Sequence, residues 1–212
     1  MKKRVFNLII LDESGSMSSI ERQAIDGVNE TVQTIRAAQK RHPQHEHYVT
    51  LVSFNSDAVK TIYDKVEANR VEELSNEQYQ PSCCTPLYDA MGNALTNLRK
   101  SVAEDDVVLV TVITDGHENS SREYRGAAIK SLVESLKAKG WIFTYIGANQ
   151  DVVKVASTLS ITNTLSFSAN AVGTSQMFDT EKKARTRLFD RIAENIAPCE
   201  MADDYFDEDK NV

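Results

Sequence analysis

Two short, almost continuous apolar runs constrain the fold of this chain more than any other feature. Residues 4–11 and 107–114 are rich in Val, Ile and Leu, and each run is followed at once by an aspartate, Asp12 or Asp115. A strand that is apolar on both faces needs helices on both sides, which is typical of a parallel sheet. The two runs therefore predict central strands of an α/β fold, each with an acid at its carboxyl end.

The remaining segments alternate between helical and extended patterns. Apolar residues at spacings of three and four predict amphipathic helices, the first of them through Ile25, Val28 and Val32. Residues 48–54 and 58–63 predict an antiparallel hairpin. The other predicted elements are strands over 141–146 and 164–167 and helices over 151–159 and about 179–196. We expect a three-layer, Rossmann-like α/β fold, with helices on both faces of a mostly parallel sheet that has one antiparallel edge strand.

Short motifs predict where helices begin and end. Ser18 and Ser120 each precede a glutamate by three residues, the spacing of a capping box. Thr85 followed by Pro86 has the form of a helix cap and a first helical residue. Gly140 is expected to end a helix.

The composition suits a single globular domain. The chain has 212 residues, of which 41% are hydrophobic and 26% charged, and its net charge is -7. This charge excludes the basic footprint expected of a protein that binds nucleic acid or an anionic membrane. Residues 200–212 hold six acids against one lysine. We therefore expect a folded domain over 1–198 and an acidic, disordered tail over 199–212.

The cysteine content and the N-terminus predict a cytoplasmic location. Cys83 and Cys84 are neighbours in a chain that has three cysteines, which does not suit a disulfide framework. Basic residues 2–4 and the apolar run after them imitate a signal peptide, but the run is short and ends in acids. No stretch approaches the ~20 apolar residues that span a bilayer.

Oxygen-bearing side chains follow both central strands. Asp12 opens the segment Asp-Glu-Ser-Gly-Ser, and Gly15 in it is expected to permit a tight turn. Asp115 should emerge at the same edge of the sheet, and Thr85 can approach from a third side. Carboxylates and hydroxyls without convergent Cys or His favour Mg²⁺ or Mn²⁺ over Zn²⁺. The predicted metal ligands are Asp12, Ser14, Ser16, Thr85 and Asp115.

This pattern resembles a known family. Asp-x-Ser-x-Ser after the first strand, a threonine in a middle loop and Ile-Thr-Asp-Gly at 113–116 resemble the metal-ion-dependent adhesion site of von Willebrand factor type A domains, over about residues 4–196. The resemblance implies that Ser14 and Ser16 bind the metal directly, and that Asp12, Thr85 and Asp115 do so directly or through water. It implies Mg²⁺, with Mn²⁺ or Ca²⁺ as alternatives.

The same resemblance implies a function without catalysis. The remaining coordination position would take a carboxylate from a partner protein, which makes the chain a metal-dependent adaptor. Intracellular proteins similar to this family commonly act in multiprotein complexes, including those with ATPase chaperones. One departure is the loop Ser-Cys-Cys-Thr-Pro at 82–86, where family members often have Gly or Thr. Pro86 restricts Thr85 to an extended backbone.

Two other functions stay open at this point. A metal-dependent hydrolase, such as a phosphatase, could use His117 or Glu13 as a base. Against it, Asp12 is not followed by the second aspartate of aspartyl-phosphate phosphatases, and the chain has no Gly-x-Ser-x-Gly or P-loop motif. The third possibility is a scaffold whose metal is purely structural.

Other polar residues are expected to have ordinary surface roles. His42, His45 and His47 lie in a polar stretch between a helix and a strand, where solvent exposure is expected. Glu13 and Glu118 are expected to be solvated charges at the rim of the site. Cys83 and Cys84 lack the spacing of a zinc site and are expected to be loop residues.

Overall fold

A computed structural model describes residues 2–148, 151–194, 196 and 205–206 of the chain. Its strands are β1 (Lys3–Asp12), β2 (His45–Phe54), β3 (Val59–Glu67), β4 (Val107–Thr114), β5 (Ile142–Gly147) and β6 (Asn163–Ser166). Its helices are α1 (Glu21–Arg41), α2 (Leu87–Leu98), α3 (Gly126–Lys137), α4 (Val152–Thr158) and α5 (Ala171–Ala193), with short 3₁₀ helices at Gly15–Ile20 and Ala68–Arg70. None of these helices has both the length and the apolar character needed to cross a membrane.

One mixed sheet lies between two helical layers. The strand order is β3-β2-β1-β4-β5-β6, and the pairing is parallel except between β2 and the edge strand β3. One apolar core joins α1 and α5 to the sheet, through residues such as Val32 and Leu188. The other joins α2, α3 and α4 to the opposite face, through residues such as Leu95 and Val133. The expected three-layer α/β fold is confirmed.

The register of the two central strands sets the position of their acids. β1 pairs with β4 in parallel, and Leu11 lies opposite Ile113. Every residue of β4 is buried, as an uninterrupted β-branched run between two helical layers requires. Because parallel strands end at the same edge, Asp12 and Asp115 leave the sheet side by side. This edge is called the carboxyl edge below.

Neither predicted capping box forms. Ser18 lies within the 3₁₀ helix, where its hydroxyl donates a hydrogen bond to the Gly15 carbonyl, and α1 begins only at Glu21. The second box also fails, because α3 begins at Gly126 without a side-chain cap. A hydrogen bond within the preceding turn has replaced the cap in the first case. Gly140, with a φ of 84°, lies just beyond the end of α3, close to the predicted stop.

The C-terminal helix starts earlier than its apolar pattern predicts. α5 begins at Ala171, eight residues before the expected start at Asp179. The side chain of Asn170 accepts a hydrogen bond from the Gly173 N–H and caps the helix. A local cap therefore sets this boundary, and the first turns need no continuous apolar stripe.

The prediction that three neighbouring histidines are exposed is wrong, because two of them are buried and the third, His42, is half-buried with its Nε2 2.9 Å from Asp190 Oδ1. β2 begins at His45, which pairs with Lys3, so that His45 and His47 lie within the sheet and are buried. The His47 ring packs edge-on against Phe189 at a centroid distance of 4.7 Å. Burial lowers the pKa of His47 to about 3, which keeps the ring neutral.

Two aromatic residues of the predicted tail belong to the core. Tyr205 and Phe206 are 4% and 1% exposed. The Tyr205 hydroxyl donates to Glu181 Oε1 at 2.9 Å, and this carboxylate is also paired with the buried Arg185. The prediction that the tail lies outside the fold is therefore wrong for these two residues. Most of 199–212 lies outside the described residues, and the boundary at 198 stays a prediction.

We expect Phe206→Ala to lower the free energy of unfolding by about 3 kcal/mol, because removing a buried phenyl ring loses its burial and leaves a cavity. Urea denaturation measures this change. The matched control is Val153→Ala, at a side chain that is 64% exposed, and its change should stay within about 0.5 kcal/mol. Equal effects of the two substitutions would show that Phe206 does not contribute to the core in solution.

Candidate metal centre

All five sequence-predicted ligands lie at the carboxyl edge of the sheet. Asp12 is the last residue of β1, and Asp115 directly follows β4. Ser14 and Ser16 belong to the segment 12–16, called the metal loop below. Thr85 lies two residues before α2. Ser16 is exposed and the other four residues are buried.

Hydrogen bonds connect the two carboxylates to their surroundings. Asp12 Oδ1 accepts from the Ser14 N–H at 2.7 Å, and Asp12 Oδ2 accepts from the Thr114 hydroxyl at 2.6 Å. The Ser16 hydroxyl donates to Asp115 Oδ1 at 2.5 Å and lies 3.2 Å from Ser14 Oγ. The metal loop and the end of β4 therefore form one polar network.

Three of the predicted ligand oxygens surround a common point. A Cβ atom placed on Gly116 would lie 3.2 Å from Thr85 Oγ1, 3.6 Å from Ser16 Oγ and 3.8 Å from Asp12 Oδ2. The absence of a side chain at Gly116 therefore leaves a small space beside three oxygen atoms, two from the metal loop and one from Thr85. Within the described ranges, no group of three or more His, Cys, Asp and Glu side chains is placed to hold a metal ion. The five-residue set differs because hydroxyls supply three of its donors.

The electrostatics of this space favour a cation. The pKa of Asp12 is raised from 3.8 to about 6, because burial and, to a smaller extent, the neighbouring Asp115 outweigh the hydrogen bonds from Thr114 and Ser14, which lower it. Burial also raises the pKa of Asp115. A raised pKa means that the negative charge is poorly compensated in the metal-free protein. A hard divalent cation fits both the charge and the oxygen donors.

Hydrogen bonds to Asn119 hold Thr85 in place, and its side chain does not cap α2. Its N–H donates to Asn119 Oδ1 at 2.9 Å, and its carbonyl accepts from the Asn119 N–H at 3.1 Å. α2 begins at Leu87, and Glu118 Oε2 accepts from the Tyr88 N–H in its first turn. Because α2 does not use Thr85 as its cap, the hydroxyl can face the metal loop.

The prediction that Glu13 and Glu118 are solvated charges at the rim of the site is wrong for both residues. Glu13 is fully buried, and its Oε1 accepts from Lys60 Nζ and from the Gln80 N–H, each at 2.6 Å. Glu118 accepts hydrogen bonds from backbone N–H groups, including those of Ser120 and Ser121. Both carboxylates are used to hold loops, because backbone N–H groups outside helices and strands need acceptors.

The sequence did not identify two residues that hold Asp12 in place. Thr114 donates to Asp12, and the Tyr79 hydroxyl donates to the Asp12 carbonyl at 2.6 Å. Thr114 had a visible signal, a hydroxyl at the end of an apolar strand beside Asp115. Tyr79 had none, because it lies in a segment without helices or strands that only the folded chain brings to β1.

The sequence matches the model of the von Willebrand factor type A (VWA) domain over residues 8–183. The match covers most of the chain and contains all five candidate ligands. The chain belongs to the VWA domain family. A comparison with curated proteins gives no match.

Solved structures with the same fold include proteins of pili. The PilB minor pilin from Streptococcus sanguinis is 14% identical, with 89% of this chain and 63% of that chain covered and a TM-score of 0.60. The vWF domain of the type V pili tip protein Mfa5 from Porphyromonas gingivalis is 11% identical, with 92% and 95% covered and a TM-score of 0.55. The SpRpn10 VWA domain is 8% identical, with 85% and 95% covered and a TM-score of 0.55.

At these identities the likeness shows the fold alone. The VWA domain described here also spans less than two thirds of the PilB chain. VWA domains, the family to which this chain belongs, generally mediate protein–protein interaction.

We expect the metal-free VWA domain to lose stability as the pH rises from about 4 to about 6. The pKa of Asp12 is raised from 3.8 to about 6 in the folded state, so the folded chain binds more protons than the unfolded chain across this range. The stabilising contribution is fully present below the unfolded pKa and lost above about pH 6. It amounts to about 3 kcal/mol at most.

Asp12→Asn is the variant that isolates this effect. Without the charge, it should be more stable than the wild type at pH 7 in the presence of a chelator, and the advantage should shrink toward pH 4. Urea unfolding of both proteins across this pH range measures the difference. A difference that stays constant with pH would contradict a raised pKa at Asp12.

Proposed function

We propose that this VWA domain is a non-enzymatic protein-binding module that holds Mg²⁺ at its carboxyl edge and captures an acidic side chain of a partner. Asp12, Ser14, Ser16, Thr85 and Asp115 would hold the ion, and Mn²⁺ or Ca²⁺ could replace it. The observation that carries the proposal is the convergence of three oxygens, two from the metal loop and one from Thr85, on the space beside Gly116.

The mixture of donors suits the capture of an anion. Three of the five side chains are neutral hydroxyls, so the donor set supplies only two negative charges at most. If one aspartate contacts the ion through water, the ion keeps positive charge toward an incoming ligand. Ser16 is exposed, which opens one side of the site to a partner. A carboxylate is the hard, anionic ligand that such an ion prefers in proteins.

The described contacts support binding over hydrolysis. Glu13, one of the two candidate bases, is buried, and its Oε1 already accepts hydrogen bonds from Lys60 and Gln80. His117 is exposed on the loop after β4. Turnover of a generic phosphoester by the purified chain would favour the hydrolase instead.

The partner and the compartment belong to the same proposal. An acidic residue on the partner, in a multiprotein complex that can include an ATPase chaperone, follows from the resemblance to intracellular adaptors of this family. A cytoplasmic location rests on the cysteine pattern of the sequence. A structural role for the metal without a partner is the remaining alternative, and partner capture that depends on the metal separates the two.

Gly116→Ala tests the proposed function with little disturbance of the fold. Gly116 does not have a left-handed backbone, but the added methyl group would lie 3.2 Å from Thr85 Oγ1. We expect Mg²⁺ to raise the melting temperature of the wild type, and the substitution to weaken Mg²⁺ binding about tenfold or more. Gly126→Ala is the matched control, because its methyl group would lie similarly close to a neighbour, 3.3 Å from the Tyr88 ring, and none of the candidate ligands is among its nearest atoms.

A pull-down from the native cell extract then tests partner capture. The wild type and Gly126→Ala should retain partners in Mg²⁺ and release them in chelator, whereas Gly116→Ala should retain less in Mg²⁺. Equal partner lists in Mg²⁺ and in chelator would rule out metal-gated binding. If Mg²⁺ does not change the melting temperature of the wild type, the proposal that the chain binds Mg²⁺ is contradicted.

A further inference from the structure

Two adjacent cysteines lie beside the candidate metal centre without a role in the function proposed above. Cys83 and Cys84 directly precede Thr85, and both are exposed. Cys83 has a φ of 62°, a left-handed conformation that residues other than glycine seldom adopt. The Cys83 thiol donates a hydrogen bond to Asp57 Oδ2 at 3.0 Å. Both sulfur atoms are therefore accessible to small molecules in solution.

The peptide group between the two cysteines joins the metal loop to the β2–β3 turn. Its carbonyl oxygen, which belongs to Cys83, accepts from the Gly15 N–H at 3.1 Å. Its N–H, which belongs to Cys84, donates to Ser56 Oγ at 3.2 Å. Gly15 lies between two of the candidate ligands, so the orientation of this peptide group is coupled to the metal loop.

The next peptide group, between Cys84 and Thr85, determines the position of Thr85. The Cys84 carbonyl accepts from the Ser56 N–H at 3.1 Å, and the next N–H, that of Thr85, donates to Asn119. A rotation of the backbone at Cys84 would break these contacts in turn and move the Thr85 hydroxyl away from the space beside Gly116. Small shifts in the groups that orient metal ligands reduce metal affinity.

We propose that Cys83 and Cys84 form a redox modification site, at which closure of a vicinal disulfide disables the metal centre and reduction restores it. The inference rests on the proposed function, because metal binding is the property that the disulfide controls. The disulfide closes a ring around the peptide group that bonds to Gly15 and Ser56. Ring closure changes the torsion angles on both sides of this group and breaks those two hydrogen bonds.

The oxidant is a low-molecular-weight disulfide, RSSR. One cysteine thiolate attacks a sulfur of RSSR, which forms a mixed disulfide and releases RS⁻. The neighbouring thiolate then attacks the cysteine sulfur of the mixed disulfide, which closes the ring and releases a second RS⁻. The two protons of the protein thiols end on the two RSH molecules, so the protein loses two electrons and RSSR gains them.

The spacing of adjacent residues makes this disulfide easy to reverse. Neighbouring Cα atoms across a trans peptide are ~3.8 Å apart, whereas ordinary disulfides join Cα atoms ~4.4–6.8 Å apart. A bond forced outside its usual geometry is more readily reduced, and such disulfides are the labile, regulatory ones. The pair therefore suits a switch better than a permanent crosslink.

The test uses the full chain with Cys199→Ser, which removes the third thiol of the sequence. One sample is kept reduced and the other is treated with excess oxidised glutathione, and intact-mass analysis identifies the ring by the loss of two hydrogen atoms. Mg²⁺ is then titrated against the melting temperature of each sample. We expect the oxidised sample to need about tenfold or more Mg²⁺ for the same rise. Dithiothreitol should reverse the change.

Two further measurements separate the ring from other effects of the oxidant. The double variant Cys83→Ser, Cys84→Ser should keep its response to Mg²⁺ with and without oxidised glutathione. Hydrogen exchange at the Gly15 amide should become faster in the oxidised parent protein, because the hydrogen bond to the Cys83 carbonyl is lost.

The outcomes distinguish this inference from the function on which it rests. No response to Mg²⁺ in the reduced sample overturns the proposed function and the inference with it. An equal response in both samples, with the ring verified by mass, overturns the inference alone. Glutathione adducts without a ring, or unchanged exchange at Gly15, also overturn the inference alone.

Discussion

The parallel pairing of β1 with β4 is the constraint on which the carboxyl edge depends. Because Leu11 lies opposite Ile113, the acids that follow the two strands leave the sheet side by side. The Thr114 hydroxyl then connects the two strand ends through Asp12 Oδ2. The resulting site concentrates negative charge where water is scarce, and a raised pKa at both aspartates is the consequence. A bound cation would reverse that balance.

Local patterns predicted the fold because its central strands are buried on both faces. Residues 4–11 and 107–114 could be assigned from their apolar character alone, and the acid after each run indicated the functional edge. Asp12, Ser16 and Thr85 lie close together beside Gly116, at the edge of the sheet where the sequence predicted them. That these residues bind a metal stays a prediction.

Long-range contacts decided what the sequence could not show. Glu13 differs in no local way from a surface acid, and only Lys60 and Gln80 make it a buried anchor. His47 is buried because β2 begins at His45, three residues before the predicted start of the strand. Its ring packs against Phe189 of α5. Tyr205 enters the core through a hydrogen bond to Glu181, although acidic residues surround it in the sequence.

The most direct test of the central claim is a crystal structure of the protein grown with Mn²⁺, with data collected at the manganese absorption edge. The account predicts one strong anomalous peak at the carboxyl edge, within bonding distance of Ser14 Oγ and Ser16 Oγ and beside Thr85 Oγ1. An anomalous map with no peak among Asp12, Ser14, Ser16, Thr85 and Asp115 would contradict it.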